Sequence, residues 1–346
     1  RGHVAGRSLA LGNTSLMQAH AVAVDAASTE ADAMRARGAS VMYLAVDGVL
    51  GIRGGVAVCG ATEHPAVLDP VRLSGGVVVP TDAGGRIDLG ALADALDAIA
   101  DVRLVSVMTA NNETGVVNPV PEAAALVAEH APEALLHTDA VQATAWLDLA
   151  EACRGAQLVS ITGHKFGGPK GAGALVLREG ATVAPMLRGG GQERERRSGT
   201  QNVPAIVGLG MAATLVAADR ETTSARIGTL RDRLEAGLLS AVPDARRTVP
   251  DGVPRTPGVA HVCFPGIESE ALLFLLERDG ISASAASSCA SGAQEPSHVL
   301  AAMGVDRDDA VGSLRLSFGH ATTDAEVDHA LAVVPVAVAR LRKHAR

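Results

Sequence analysis

Lys165 is the residue around which chemistry can be organised. It stands in Ile161-Thr162-Gly163-His164-Lys165-Phe166-Gly167-Gly168-Pro169-Lys170-Gly171. An apolar segment (Leu158, Val159, Ile161) precedes it, and a glycine-rich tail that reads as a strand, Gly171 to Leu177, follows. A lysine at a buried strand end is desolvated, which lowers its pKa and frees the amine to form a Schiff base. Upstream, His137-Thr138-Asp139-Ala140-Val141-Gln142 follows the apolar pair Leu135-Leu136, so Asp139 is also expected at a strand's end. A pyridoxal phosphate enzyme needs both residues. The aspartate keeps the pyridine nitrogen protonated, so that the ring becomes an electron sink, and the lysine carries the cofactor as an imine. Taken singly, each residue reads as ordinary: a surface lysine in a glycine-rich loop, and an N-capping aspartate. Together, and with the motifs below, they point to the cofactor.

The elements that must position these groups alternate. Val56 to Cys59 reads as a strand and Pro65 to Leu73 as a helix, then Val77 to Val79 as a strand and Leu89 to Ile99 as a helix. Leu104 to Met108 reads as a strand, Glu122 to Glu129 as a helix, and Leu135 to His137 and Leu158 to Ile161 as strands. Short β-branched runs alternating with helices imply βα units and a mostly parallel sheet covered on both faces. Ligands on such sheets bind beyond the carboxyl ends of the strands. His64, Asn111, Asn112, Asp139 and Lys165 all fall there. Ala205 to Leu239 reads as one or two helices leading into a second domain. That domain has strands near Gly258 to Val262 and Ser313 to Ser317, and helices at Glu268 to Glu277, Pro296 to Ala302 and Asp324 to Arg342. The expected organisation is a large α/β domain over 12–222 and a smaller α+β domain over 223–346.

Composition narrows the class. A chain of 346 residues exceeds what one small core organises, so two domains are the natural expectation. Hydrophobic residues make up 47% and aromatics only 2%, so the core is built from Ala, Val and Leu. A net charge of -8, with no basic block interleaved with aromatics, argues against a nucleic-acid surface. There is no uninterrupted apolar run long enough to suggest a membrane span, and no hydrophobic signal core follows Arg1-Gly2-His3. Cys59, Cys153, Cys263 and Cys289 form no CxxC pair, so neither a zinc site nor a disulfide scaffold is expected, and a reducing cytoplasm suits them.

Several ordered motifs join the Asp139–Lys165 pair: Asn111-Asn112-Glu113-Thr114-Gly115, Gly189-Gly190-Gly191-Gln192-Glu193 leading to Arg197-Ser198-Gly199-Thr200, and the segment from Cys289 to Ser297. With them the chain resembles the cysteine desulfurases of the NifS/IscS type, on the fold-type-I scaffold of the class V aminotransferases, from about residue 60 to the C-terminus. The resemblance implies that Lys165 is the Schiff-base lysine, Asp139 pairs with the pyridinium nitrogen, Gln142 hydrogen-bonds the ring hydroxyl oxygen, and His64 stacks on the ring and assists proton transfer. It implies that Thr162, His164 and Thr29 cradle the phosphate, and that Thr200 reaches the phosphate of a neighbouring subunit, making the dimer part of the site. Asn112 and Arg315 would hold the substrate carboxylate, a task that suits the planar fork of arginine. Cys289 lies in a run of small residues, about 282–295, whose composition reads as a mobile loop. Loop exposure would let its thiolate reach a bound substrate. The other three cysteines lie in or beside apolar segments and read as inert.

The N-terminal part departs from the family pattern. Gly12-Asn13-Thr14-Ser15 resembles the family's Gly-Asn-Pro-Ser, and Ala26-Ala27-Ser28-Thr29-Glu30 occupies the place of its phosphate loop, but the two lie closer together than in the family. The resemblance implies a homodimer that converts L-cysteine to L-alanine. It would leave a persulfide on Cys289 for an acceptor protein, either an iron–sulfur scaffold or a thiolation enzyme. Two other readings remain: a selenocysteine lyase or related class V lyase that needs no persulfide, and a catalytically weak dimeric scaffold.

Overall fold

The computed structural model describes residues 2–4, 7–12, 43–46, 49–50, 55–285 and 297–344. Thr29 and Cys289 lie outside these residues, as does most of the loop expected around Cys289. The chain divides into two compact units, Arg1–Gly55 and Val56–Arg346. The first holds an antiparallel sheet in the order β1 (Gly2–Val4), β2 (Arg7–Gly12), β3 (Tyr43–Val46), β4 (Val49–Leu50).

The second unit begins with β5 (Val56–Gly60), α1 (Pro65–Leu73), β6 (Val77–Val79), α2 (Leu89–Ala98), β7 (Val102–Ser106) and α3 (Val120–His130). It continues with β8 (Leu135–Asp139), α4 (Leu149–Ala152), β9 (Leu158–Thr162) and β10 (Gly173–Leu177). These strands form one sheet in the order β10-β9-β8-β7-β5-β6, parallel throughout except that β10 runs against β9. Side chains alternate across it. Val58 joins the core under α2 and α3 with Leu92, Leu96, Val127 and Leu136, while its neighbour Cys59 packs with Leu68 and Val71 of α1 on the other face. The expected mostly parallel sheet covered on both faces is present.

α1 shows how the sequence sets these boundaries. Pro65 occupies the first helical position, where its missing N–H costs nothing, and His64 Nδ1 caps the helix by accepting from Ala66 N at 3.1 Å. β7 starts and ends two residues earlier than its apolar run suggested. Val107 and Met108 are buried, but they belong to the crossing beyond the strand's end.

The rest of this unit comprises α5 (Val203–Ala241), β11 (Arg246–Arg247), β12 (Val259–Cys263), α6 (Ser269–Arg278), α7 (His298–Ala302), α8 (Arg307–Val311), β13 (Ser313–Ser317) and α9 (Asp324–His344). β11, β12 and β13 form an antiparallel sheet. One face of it presents Ala260, Val262, Leu314 and Leu316 to Leu234 and Leu238 of α5, Leu272 and Leu276 of α6, and Val334 and Val338 of α9. α5 is a single helix that runs unbroken through residue 222. By length and composition alone it is apolar enough to cross a membrane, yet its C-terminal half carries charge and is packed into this core. Its N-terminal half leaves Val203, Val207, Met211 and Leu215 exposed at four-residue spacing, with Ile206 beside them.

Candidate active site

Four crossings leave the carboxyl ends of the parallel strands and carry most of the residues singled out in the sequence. Beyond β5, Thr62 to His64 lead into α1. Beyond β7, the chain turns through Asn111 and Asn112. β8 ends on Asp139, and β9 on Thr162, followed by a 3-10 turn, Gly163–Lys165. Asp139 is half-buried, and its Oδ1 accepts from Val141 N at 2.9 Å, which fixes the carboxylate at the strand end. Thr162 Oγ1 and His164 Nδ1 lie 3.0 Å apart, so hydroxyl and imidazole are held together one residue from Lys165.

The Asn111 turn is built from its own side chain. Oδ1 accepts from Glu113 N (2.9 Å) and Thr114 N (3.0 Å), and Nδ2 donates to Thr62 O (3.0 Å), tying two crossings together. Gly115 closes the turn with φ +76, where a Cβ would lie 3.0 Å from Thr256 Oγ1, so glycine is required. The neighbouring Asn112 offers its backbone oxygen to Arg315 Nη1 at 3.3 Å. Arg315 lies on β13 and pairs through its backbone with Ser284 (2.8 and 3.1 Å). The two residues assigned to a substrate carboxylate are therefore brought together, although they are far apart in the chain.

The sequence expectation for Lys165 is corrected in one respect. Its side chain is exposed, not buried, because the chain leaves β9 through the 3-10 turn instead of stopping inside the sheet. It opens onto a cavity of about 540 Å³ shared with Trp146, Phe166, Asp219, Arg220 and Phe318. Asp139, His64, Asn112 and Gln142 do not line that cavity. His64 is exposed and spends its Nδ1 on the helix cap, leaving the ring faces open. Thr200 is exposed at the end of a turn in which Ser198 Oγ donates to Gly190 O (2.7 Å) and Gln192 Oε1 accepts from Gly199 N (3.1 Å).

Sequence reasoning missed a buried polar layer beneath Asp139. His137 is bonded through both ring nitrogens, to Ser106 Oγ and to Ser160 Oγ, each at 2.8 Å, on strands flanking its own. Burial holds its pKa below the ordinary imidazole value. Glu63 is 1% exposed; Oε1 accepts from Met108 N at 2.5 Å, and Oε2 has no partner among the described residues. Burial, and then the charge of Asp139, push its carboxyl up to about 8. The signal was the short polar run Thr62-Glu63-His64, which reads as surface until the asparagine turn closes over it. Glu63 is protonated in the folded chain between about 4.5 and 8, where the unfolded chain ionises it, so it makes stability fall as pH rises through that window. Glu63→Gln keeps the neutral shape and should gain stability relative to wild type from pH 5 to pH 8. Denaturant midpoints at the two pH values check this, and a constant difference would contradict it.

The remaining cysteines behave as read. Cys59, Cys153 and Cys263 are free and no more than 2% exposed. Burial raises all three thiols, Cys59 to about 12, so none offers a thiolate near neutrality.

Donor chemistry at the strand ends fits pyridoxal phosphate. Asp139 supplies a fixed carboxylate for a ring nitrogen, Thr162 and His164 form a paired hydroxyl and imidazole for a phosphate, and Lys165 adds an amine beside them. Comparison with known proteins agrees. The aminotransferase class-V family model matches residues 40–330. An IscS-like cysteine desulfurase of Mycobacterium tuberculosis is 46% identical over 289 residues, covering 82% of this chain and 73% of that one. The cysteine desulfurase NifS of Azotobacter vinelandii is 44% identical over 286 residues, covering 81% and 70%. The solved structure of a NifS-like protein superposes with a TM-score of 0.75 at 35% identity, covering 84% of this chain and 76% of that one. The chain belongs to the aminotransferase class-V family, and within it to the pyridoxal phosphate-dependent cysteine desulfurases of the NifS/IscS type.

Proposed function

We propose that Lys165, Asp139, Arg315 and Cys289 together carry out the activity that goes with this family, the desulfuration of L-cysteine to L-alanine. The observation that carries the reading is the convergence at one edge of the sheet. Asp139 and the Thr162–Lys165 turn end adjacent strands, and Asn112, on the next crossing, meets Arg315 from β13.

Bound at these residues, pyridoxal phosphate supplies an electron sink for the substrate carbon. Asp139 would hold a proton on the ring nitrogen, Gln142 would bond the ring hydroxyl oxygen, His64 would stack on the ring, and Thr162, His164 and, from a neighbouring subunit, Thr200 would hold the phosphate. Arg315, with Asn112 beside it, orients the substrate by its carboxylate through parallel charge-assisted bonds. Lys165 Nζ takes the proton from the substrate α-carbon. Cys289 thiolate then attacks the substrate sulfur. The Cβ–S bond breaks, an S–S bond forms, the β-carbon keeps the electron pair and takes a proton, and Lys165 Nζ returns its proton to the α-carbon. The products are L-alanine and a persulfide on Cys289, whose outer sulfur passes to an acceptor: an iron–sulfur scaffold or a thiolation enzyme.

We also propose a homodimer. Its support is the exposed apolar stripe of α5, together with Met186 and Leu187, which are 92% and 53% exposed. In the chain between Leu187 and α5, Glu193, Arg194 and Glu195 hold positive φ values of 50, 55 and 65. Such backbone costs about 1–2 kcal/mol per residue and persists where surroundings enforce it. A second copy seated here would cover the stripe and hold the turn. The separate cores on either side of residue 222 support the two-domain division within Val56–Arg346.

The test supplies purified protein and cofactor with L-cysteine and a thiol reductant, and measures alanine and sulfide. Equal amounts of both are expected. Sulfide with pyruvate in place of alanine would move the protein to another lyase chemistry.

A further inference from the structure

The face of the β11–β12–β13 sheet turned away from its apolar core carries a row of polar residues across neighbouring strands. His261 lies directly opposite Arg315 in the antiparallel pair. On its other side, Thr248 follows β11 and bonds its N to His261 O at 3.3 Å. Ser284 bridges to Arg315 on the far side. Directly opposed residues bring their Cβ atoms to about 4.5–5.5 Å on one face. His261 is 1% exposed. Its Nδ1 lies 2.6 Å from Thr248 Oγ1, and that hydroxyl in turn lies 3.6 Å from Cys263 Sγ. Its Nε2 is buried and has no partner among the described residues, and neither has Arg315 Nε, on the residue it faces.

These two orphans are complementary. An arginine Nε–H can only donate. His261 Nε2 can accept if the ring proton sits on Nδ1, where it donates to Thr248, whose own hydroxyl proton then turns to Cys263. That direction partners Nδ1, the Thr248 hydroxyl and the Cys263 sulfur, and leaves Nε2 an acceptor opposite a residue that can only donate. The opposite tautomer would aim N–H at a guanidinium. Burial and the nearby Arg315 charge press the imidazole down to about 3, so it stays neutral at any working pH.

Resting on the carboxylate role proposed for Arg315, we propose that His261 is a positioning residue for substrate recognition. Its Nε2 accepts from Arg315 Nε through one water and fixes the rotation of the guanidinium about its long axis. With Nη1 also held by Asn112 O, the end-on edge of the fork is left facing the site for the two oxygens of an α-carboxylate. His261 touches no reacting atom; it acts through Arg315.

The test is a kinetic comparison of folded holoenzymes. His261→Leu should raise KM for L-cysteine about tenfold, the scale of one charge-assisted hydrogen bond, while kcat stays within about threefold of wild type. The inhibition constant for L-alanine, which keeps the carboxylate, should rise in parallel. His261→Gln offers an amide oxygen as acceptor and should bring both constants back toward wild type. Arg315→Ala is measured alongside. If it leaves KM unchanged, the carboxylate role of Arg315 falls. If it raises KM while folded His261→Leu does not, the role of His261 alone is overturned. Should His261→Leu fail to fold, Thr248→Val, which removes the group fixing the tautomer, should raise KM with kcat kept, and an unchanged KM would overturn the proposal.

Discussion

Lys165→Ala is expected to abolish turnover of L-cysteine, lowering kcat by roughly 10⁴-fold or more, the scale seen when the central reacting group of an enzyme is removed. Lys165 is the amine next to the Thr162–His164 pair, on the turn that leaves β9 toward the edge where Asp139 ends β8. In the described structure it is exposed, so it is accessible to a reactive carbonyl without rearrangement of the sheet. Borohydride reduction of the holoenzyme, followed by peptide mapping, should place the pyridoxyl group on Lys165. Lys170, in the same glycine-rich run and also exposed, is the internal control. A label on Lys170, or a yellow and active Lys165→Ala variant, would remove Lys165 from the mechanism.

Cys289→Ser should have the second large effect, and at a later point. The variant should bind cofactor and substrate as wild type does, yet release alanine at least about 10³-fold more slowly, because a serine hydroxyl offers no accessible anion to attack sulfur. Replacing Cys59, Cys153 or Cys263 by alanine should leave desulfuration in place. Their thiols are buried and held protonated, so stability is the property that changes, by about 1–2 kcal/mol for a small core truncation. Desulfuration unchanged in Cys289→Ser and lost in one of the others would reassign the nucleophile.

Much of the framework was legible because its signals are local. The short apolar runs at Val56, Val77, Leu135 and Leu158 became strands, and Pro65 and Asp324 mark helix starts. Asp139 and Lys165 were found because an apolar run followed by a polar residue marks a strand's carboxyl end, where a parallel sheet presents its ligands. The misses depend on contacts distant in sequence. Glu63 becomes a buried neutral acid only when Asn111 ties the crossing to its neighbour and Met108 N reaches its carboxyl. His137 reads only as a strand residue before Asp139; its bonding comes from serines on the strands at both sides. His261 is one residue in an apolar run, and its meaning comes from Arg315 across the strand pair. The exposure of Lys165 differs from expectation for the same reason. A strand end reads as buried from its apolar run, but whether the next turn leaves the sheet is set by Gly163 and the turn itself. α4 and α8 were also missed, being helices of four and five residues with too little periodicity to stand out.

The central claim is that sulfur leaves L-cysteine by transfer to Cys289. The measurement that tests it most directly is the intact mass of the peptide containing Cys289 after the holoenzyme has met L-cysteine with no reductant or acceptor present. A gain of one sulfur atom, about 32 Da, on that peptide alone is expected, lost on treatment with dithiothreitol and absent from Cys289→Ser. Alanine formed in stoichiometric amounts with Cys289 unmodified would contradict the account.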